Sequence, residues 1–178
     1  MNFKNLERYL ESFGKQVANR TKRNLAKAKG GGTELENSIR FKVKKSRDGF
    51  EVQFYMASYG TYVDKGVSGT QQTRKFKNYE NKVISSPYKY KSKQPPSGIL
   101  AKWISKKKIK GRDKKTGRFI SNMSLAFLIG RKIKRDGIKG LSFFQKPLAL
   151  GMKQFGSKML EAVREDVLST IKKETLTT

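Results

Sequence analysis

Residues 39–56 read IRFKVKKSRDGFEVQFYM, and this stretch carries the strongest evidence of the fold class. Apolar residues alternate with polar ones on both sides of Asp48-Gly49, a dipeptide that favours a tight hairpin turn. The pattern predicts two antiparallel strands joined at that dipeptide, each with one apolar face. A sheet with an apolar face must pack on another element, most simply on the helix that precedes it.

Helical periodicity flanks the hairpin on both sides. Before it, apolar residues at spacings of three and four predict an amphipathic helix from residue 3 to about residue 28, ended by the glycines at 30–32. After it, a longer stripe predicts one helix from about Gln145 to Lys173. The stripe consists of Leu148, Met152, Phe155, Met159, Val163, Val167 and Ile171. The whole pattern predicts an α+β fold: a long N-terminal helix, a small antiparallel β-sheet (hairpin plus short strands), and a long C-terminal helix packed on the sheet.

The middle of the chain gives shorter signals. Residues 59–63 predict a strand or tight turn, and residues 70–97 predict irregular chain because three prolines exclude a long helix. Ser97 is expected to cap a short helix that reaches about Lys108. We expect one domain over residues 1–178, with a basic insert or arm at 70–121 that carries this short helix.

Two further elements are expected after the insert. Ser121 or Ser124 is predicted to begin a helix that ends near Gly137, and residues 141–144 are predicted to form a short strand. The inward faces of the two middle helices are expected to consist of Ile99, Leu100, Trp103 and Ile104 in the first and of Leu125, Leu128, Ile129 and Ile133 in the second.

The charge balance is extreme: 41 Lys and Arg face 14 Asp and Glu, a formal net charge of +27. Self-repulsion at this level opposes compaction, so we expect a polyanion beside the working protein. Nucleic acid is the first candidate, an acidic protein surface the second and an anionic membrane the third.

Much of the charge falls in the predicted insert. The candidate contact residues for nucleic acid or an acidic partner are Lys89, Lys91, Lys93, Lys106, Lys107, Lys108, Lys110, Arg112, Lys114, Lys115 and Arg118. Lysine acts as a point charge, whereas arginine forms the bidentate forks that read guanine, so the mixture favours contact with the phosphate backbone over sequence readout. A solvated surface and a contact with an acidic subunit remain alternatives.

Three tyrosines are interleaved with these cations. Tyr79, Tyr88 and Tyr90 are candidates for a subunit interface, because such residues commonly fix a long loop to its own domain or to a neighbouring subunit. Stacking on unpaired bases is the alternative.

Catalytic chemistry has little support. The chain has no cysteine and no histidine, which removes thiolate metal sites and the commonest general base. The sparse carboxylates show no paired spacing. We therefore expect no catalytic residues, no metal, no cofactor and no enzymatic activity. The N-terminal segment contains no continuous apolar signal sequence and no apolar run has the length of a membrane span, so no membrane association is expected.

Several short motifs occur in a characteristic order. Residues 34–40 follow the first helix and residues 59–66 follow the hairpin. Five later segments precede the C-terminal helix: 102–104, 117–120, 125–129, 135–140 and Phe143-Phe144. This order resembles the tail-completion or neck proteins of tailed bacteriophages, a family of small head–tail connector subunits. The resemblance covers roughly residues 5–170, and the basic insert is longer than in the smallest members.

The resemblance implies a function. It implies that Tyr62, Val63, Asp64 and Gly66 form a structural turn beside the sheet. Copies of the chain would assemble into a ring at the head–tail junction of the virion, after synthesis in the host cytoplasm. The ring would surround the DNA channel and join the portal or adaptor to the tail proteins. The alternative is a free, non-sequence-specific nucleic-acid-binding protein.

Overall fold

The computed structural model describes residues 3–47 and 49–175, which form seven helices and six strands. In chain order these are α1 (Lys4–Lys29), α2 (Glu34–Ser38), β1 (Arg40–Ser46), β2 (Gly49–Tyr55), α3 (Gly60–Lys65), β3 (Gly66–Ser68), β4 (Lys75–Lys77), β5 (Val83–Ser85), α4 (Ser97–Lys106), α5 (Asn122–Asp136), β6 (Gly137–Lys139), α6 (Gln145–Met152) and α7 (Phe155–Thr175). The strands form three two-stranded sheets, β1–β2, β3–β6 and β4–β5. The predicted α+β class is confirmed.

The chain divides into two compact units, where the sequence predicted one domain with an insert at 70–121. Unit 1 comprises Met1–Asp64, Lys77–Val83 and Leu141–Thr178, and unit 2 comprises Lys65–Phe76 and Ile84–Gly140. Unit 2 therefore begins before the predicted insert and includes all of α5 and β6.

Unit 1 is built around α1 and the hairpin. Strands β1 and β2 pair antiparallel in the register Phe41↔Phe54 and Val43↔Val52, as the alternation predicts. Asp48, the first residue of the predicted turn dipeptide, lies outside the described residues. Helix α1 packs against both strands and ends at Gly30, whose left-handed conformation (φ 89°) suits a glycine C-cap.

The core of unit 1 joins residues that are far apart in the sequence. Phe143 is 1 % exposed and packs with Ala18 and Leu25 of α1, Leu35 of α2 and Ile39. A separate apolar groove of about 730 Å³ lies between α1, the hairpin, α6 and α7.

One buried carboxylate ties the C-terminal helix to α1. The backbone N–H groups of Asn5 and Leu6, in the first turn of α1, donate to Oδ1 and Oδ2 of Asp166, each at 3.0 Å. A helix offers no acceptor of its own to N–H groups in its first turn, and the side chain of Phe3 at the N-cap accepts no hydrogen bond. Asp166 of α7 thus supplies the cap that the local sequence of α1 lacks.

The prediction of one continuous helix from Gln145 to Lys173 is wrong, because Lys153 and Gln154 separate α6 from α7. Glycines at 151 and 156 flank the break and weaken the helix there. Gly151 also lies against Phe13, where a Cβ would come within 2.8 Å of the ring. After the break, the ring of Phe155 packs 4.7 Å from that of Phe13. Both helices pack against α1.

Unit 2 is built on the α4–α5 pair and the β3–β6 sheet. Small residues of α5, Ala126 and Gly130, are buried at the contact with α4, and Ile104 of α4 is 0 % exposed. The expectation that Leu128 points inward is wrong, since 53 % of it is exposed. On α4, Ile99 and Trp103 are likewise exposed, because only a narrow face of this short helix meets α5.

Three local predictions also differ from the structure. Residues 60–65 form a helix rather than a strand or turn, and the short strand lies at 137–139 rather than 141–144. Pro96, not Ser97, occupies the N-cap of α4. The predicted helix start at Ser121 is confirmed, because its side chain accepts from the N–H of Ser124.

Candidate polyanion-binding surface

The charge is divided unequally between the two units. Unit 2 contains 20 of the 41 Lys and Arg but only 2 of the 14 Asp and Glu, so its net charge is +18. Unit 1 has the other 21 cations and 12 carboxylates, a net charge of +9. Unit 2 is therefore the region that a polyanion would neutralise.

The two carboxylates of unit 2 are already engaged within it. Arg135 donates to Asp136 through Nε at 2.7 Å, and this hydrogen bond is the main reason that the pKa of Asp136 is lowered. Asp113 accepts from the backbone N–H groups of Lys115 at 3.0 Å and Thr116 at 2.8 Å, and from the Thr116 hydroxyl. These bonds, those from Thr116 foremost, lower the pKa of Asp113.

Asp113 shapes the most basic loop of the chain. We call residues 110–120 the basic loop. Its ends are joined by the bridge between Arg112 and Phe119 and by the 3.1 Å hydrogen bond from Ile120 N–H to the Gly111 carbonyl. At the tip, Gly117 has φ 69° and donates its N–H to the Asp113 carbonyl. Within the predicted insert, a short closed loop therefore carries these cations.

An aromatic side chain in the basic loop was missed by sequence reasoning. Phe119 is 59 % exposed, with the Arg112 guanidinium 4.5 Å and the Lys110 ammonium 5.5 Å from its ring centroid. These cation–π contacts hold two cations at one ring and restrict their rotamers. Lys110 and Arg112 precede the turn and Phe119 follows it, so the three side chains meet only once the loop is closed.

All of the predicted basic contact residues are exposed and lie in unit 2. Lys106 ends α4, with Lys107 at its C-cap, and the basic loop follows directly. A hydrogen bond from Asn122 Nδ2 to Ser105 Oγ (2.8 Å) connects the start of α5 to the end of α4, on either side of the basic loop. The second group, Lys89, Lys91 and Lys93, lies on a separate segment beside β3.

That separate segment is fixed by its backbone. The N–H of Ser68 donates to the Tyr88 carbonyl at 2.8 Å, and Tyr90 N–H donates to the Ser68 carbonyl at 2.9 Å. The segment 88–90 thus lies parallel to β3, and partial burial raises the pKa of Tyr90. Tyr88 and Tyr90 flank Lys89, whose backbone position is set by these hydrogen bonds to Ser68. Tyr79 belongs to unit 1 and is 44 % exposed.

The segment expected to form a structural turn contains a buried carboxylate. Tyr62, Val63 and Asp64 lie in α3, and Gly66 begins β3 with φ 76°. Asp64 is 2 % exposed, and its Oδ1 accepts from the N–H of Phe144, the N-cap residue of α6, at 2.8 Å. The N–H of Leu141 donates to the Val63 carbonyl at 2.9 Å. In unit 1 these hydrogen bonds connect α3 to the segment that precedes α6.

Close backbone packing explains glycines within and next to the same motifs in unit 2. Strand β3 pairs with β6 in the register Gly66↔Lys139, Val67↔Ile138 and Ser68↔Gly137. A Cβ on Gly69 would lie 2.1 Å from the Arg135 carbonyl oxygen, and one on Gly137 would lie 2.2 Å from that of Val67. Only glycine permits this approach.

Within residues 3–47 and 49–175, no group of three or more potential metal-ligating residues lies together, and no helix is long and apolar enough to cross a bilayer. No family model, curated protein or solved structure matches this chain.

Proposed function

We propose that this chain is a non-enzymatic structural subunit of the head–tail junction of a tailed bacteriophage. Copies form a ring around the DNA channel and join the portal-side connector to the tail. Unit 1 provides the scaffold of each copy, and the lysine-rich surface of unit 2 lies beside the DNA or beside an acidic neighbouring protein.

The pairing of the motif-bearing segments is the observation that carries the proposal. Residues 59–66 and 135–144, which share the order seen in neck proteins, are separated in the chain by the whole basic insert. They meet as the β3–β6 pair in unit 2 and through the Asp64–Phe144 hydrogen bond in unit 1. Their glycines and the buried carboxylate have structural roles, which supports a scaffold rather than a reaction centre.

The charge distribution supports proximity to a polyanion. A net charge of +18, with both carboxylates engaged locally, leaves the lysines of unit 2 without internal compensation. Each phosphate that a cation neutralises releases condensed counterions, so a ring of such units would hold DNA without reading its sequence.

Electron microscopy tests this proposal. We expect the purified protein, or the protein on isolated head–tail connectors, to form closed rings, and we expect antibody labelling of virions to mark the junction. A protein that stays monomeric at all concentrations and is missing from purified particles would contradict the proposal.

The basic loop favours a second candidate, a free nucleic-acid-binding protein without sequence specificity. Phe119 beside two cations is an arrangement that stacks on unpaired bases while the cations meet phosphates. Titration of single-stranded and duplex DNA against salt separates the two candidates. Micromolar binding by the monomer with a steep salt dependence favours the free protein, whereas negligible binding by the monomer favours the ring.

A further inference from the structure

The outward face of α5 differs from the lysine surface beside it. Two rows of side chains run along this face at spacings of four: Met123, Phe127, Arg131 and Arg135 in one, and Ser124, Leu128 and Lys132 in the other. Each row is apolar or small at its N-terminal end and basic at its C-terminal end. We call these seven residues the α5 strip.

The α5 strip lies open to solvent. Met123 is 56 %, Phe127 48 % and Leu128 53 % exposed, although the opposite face of the helix is packed on α4. Three large apolar side chains within two turns are more than scattered surface residues, since exposed apolar patches of this kind mark interaction sites.

Two surface depressions follow the strip and share one residue. The first, of about 370 Å³, is lined by Ile120, Met123, Ser124, Phe127 and Leu128. The second, of about 360 Å³, is lined by Gln71, Leu128, Arg131, Lys132 and Arg135. Leu128 lies at the border of both, so an apolar depression continues directly into a basic one.

The helix dipole explains only part of this arrangement. Cations near a helix C-terminus are stabilised by the dipole, which accounts for Arg131, Lys132 and Arg135 but not for the apolar half. Duplex DNA as the partner would account only for the basic half of the strip. Its phosphates would contact the cations, but Phe127 and Leu128 would gain no apolar contact.

A second copy of this chain is a poor match. The chain has 14 carboxylates against 41 cations, and its exposed helical glutamates alternate with cations, as in Glu161 and Glu165 around Arg164 on α7. Glu161 is also paired with Lys158 at 3.0 Å. Because cations accompany these carboxylates, the charge of the strip is complemented better by a helix of another protein.

We infer that the α5 strip docks an acidic amphipathic helix of a different protein. The partner helix runs antiparallel to α5, with carboxylates in its N-terminal half against Arg131 and Lys132 and with apolar side chains in its C-terminal half against Met123, Phe127 and Leu128. Acidic residues at the partner's N-terminus also suit its own dipole. From Met123 to Arg135 the strip spans about 18 Å, so about three to four helical turns of partner cover it. This inference stands apart from the proposed function and holds for either candidate above.

A designed peptide tests the docking surface. The probe is a fluorescein-labelled helical peptide, about 30 Å long as a helix so that it covers the strip with a turn to spare at each end. It carries glutamates on one face of its N-terminal half and Leu and Phe on the same face of its C-terminal half. Fluorescence anisotropy with the full-length protein at physiological salt is expected to show saturable binding. A scrambled peptide of equal composition is expected to bind at least about tenfold more weakly.

Matched variants locate the binding site. Leu128→Ser and Arg131→Glu are each expected to weaken peptide binding about tenfold or more, because one removes the shared apolar contact and the other reverses a charge. Leu160→Ser, at a 65 % exposed leucine of α7, and Lys15→Glu, at an exposed lysine of α1, serve as controls with changes below about twofold. Because all four side chains are exposed, circular dichroism is expected to match that of the wild type.

The following results would overturn the inference. They are no saturable binding of the designed peptide, equal binding of the scrambled peptide, equal losses in the strip and control variants, and self-association that Leu128→Ser abolishes. The last would make a second copy the occupant. An equal loss of affinity for a short DNA duplex in Leu128→Ser would likewise assign the strip to nucleic acid and overturn the inference.

Discussion

Units 1 and 2 differ in how their side chains are used. Unit 1 contains most of the buried apolar residues, including Leu10, Val17, Leu25 and Phe143, and has a net charge of +9. Unit 2 has a net charge of +18, and its large buried apolar side chains are Phe76 and Ile104. Several of its large apolar residues, among them Trp103, Phe119 and Phe127, are exposed. More fully buried apolar side chains therefore take part in internal packing in unit 1 than in unit 2.

Unit 2 combines a high net charge with few buried apolar side chains. Its structure depends instead on backbone hydrogen bonds, on close packing at glycines and on the turn that Asp113 stabilises. Repulsion among its cations opposes compaction, so an external anion is expected to stabilise unit 2 more than unit 1.

The largest predicted effect compares one residue type in the two units. Phe143→Ala in unit 1 is expected to lower the free energy of unfolding by about 3–5 kcal/mol, because it removes a fully buried ring. Phe127→Ala in unit 2 is expected to cost less than about 1 kcal/mol, since its ring is half exposed. Urea denaturation followed by circular dichroism measures both, and equal costs would contradict the contrast between the units.

The second prediction concerns the cap that α7 supplies to α1. Asp166→Ala is expected to destabilise unit 1 by about 2–3 kcal/mol, because it leaves the N–H groups of Asn5 and Leu6 without acceptors. The neighbouring Glu165→Ala is the matched control, with an expected change below about 0.5 kcal/mol. Thermal unfolding compares them, and an unchanged melting temperature in Asp166→Ala would show that this cap is dispensable.

The third prediction concerns the lysines of unit 2. Replacing Lys106, Lys107, Lys108 and Lys110 together with glutamine is expected to weaken binding of duplex DNA about tenfold or more at low salt, and to reduce the salt dependence. The control variant replaces four exposed lysines of unit 1, Lys4, Lys15, Lys27 and Lys29, and is expected to change binding less. If circular dichroism shows that the unit 2 variant unfolds, those lysines are structural rather than contact residues.

The smallest predicted effect is a local pH response in the basic loop. Hydrogen bonds lower the pKa of Asp113 in the folded protein. Their stabilising effect is therefore present above the ordinary aspartate value of about 3.9 and is lost as the pH falls through the lowered folded value. The Thr116 amide resonance, followed by NMR, is expected to shift with a midpoint below about 3.9. Asp113→Asn keeps an acceptor oxygen but does not titrate, so its Thr116 resonance should stay nearly constant. A midpoint at or above the ordinary value would contradict the prediction.

Strong periodic patterns made much of unit 1 predictable. The alternation in residues 39–56 determined the hairpin, and the spacing of Leu6, Leu10 and Phe13 determined α1. The break at Lys153 was not predictable from the apolar stripe, because that stripe continues on both sides. The break depends on Phe155 reaching Phe13, which belongs to a helix at the other end of the chain.

In unit 2 the sequence identified the basic residues but not their arrangement. The cations of residues 106–118 were evident from composition, whereas Phe119 and the α5 strip were not. Leu128 looked like a core residue because helical spacing alone does not say which of two apolar faces meets a neighbour. The small residues Ala126 and Gly130 occupy that position instead, since they allow α4 to approach closely.

Local periodicity and composition were sufficient to predict the fold class, the hairpin, the first helix and the concentration of positive charge, because each of these depends on residues close together in the chain. The division into two units, the cap from Asp166, the closed form of the basic loop and the outward face of α5 became visible only in the folded molecule. Each of these depends on contacts between separate segments, where backbone approach and burial, rather than local pattern, select among the alternatives.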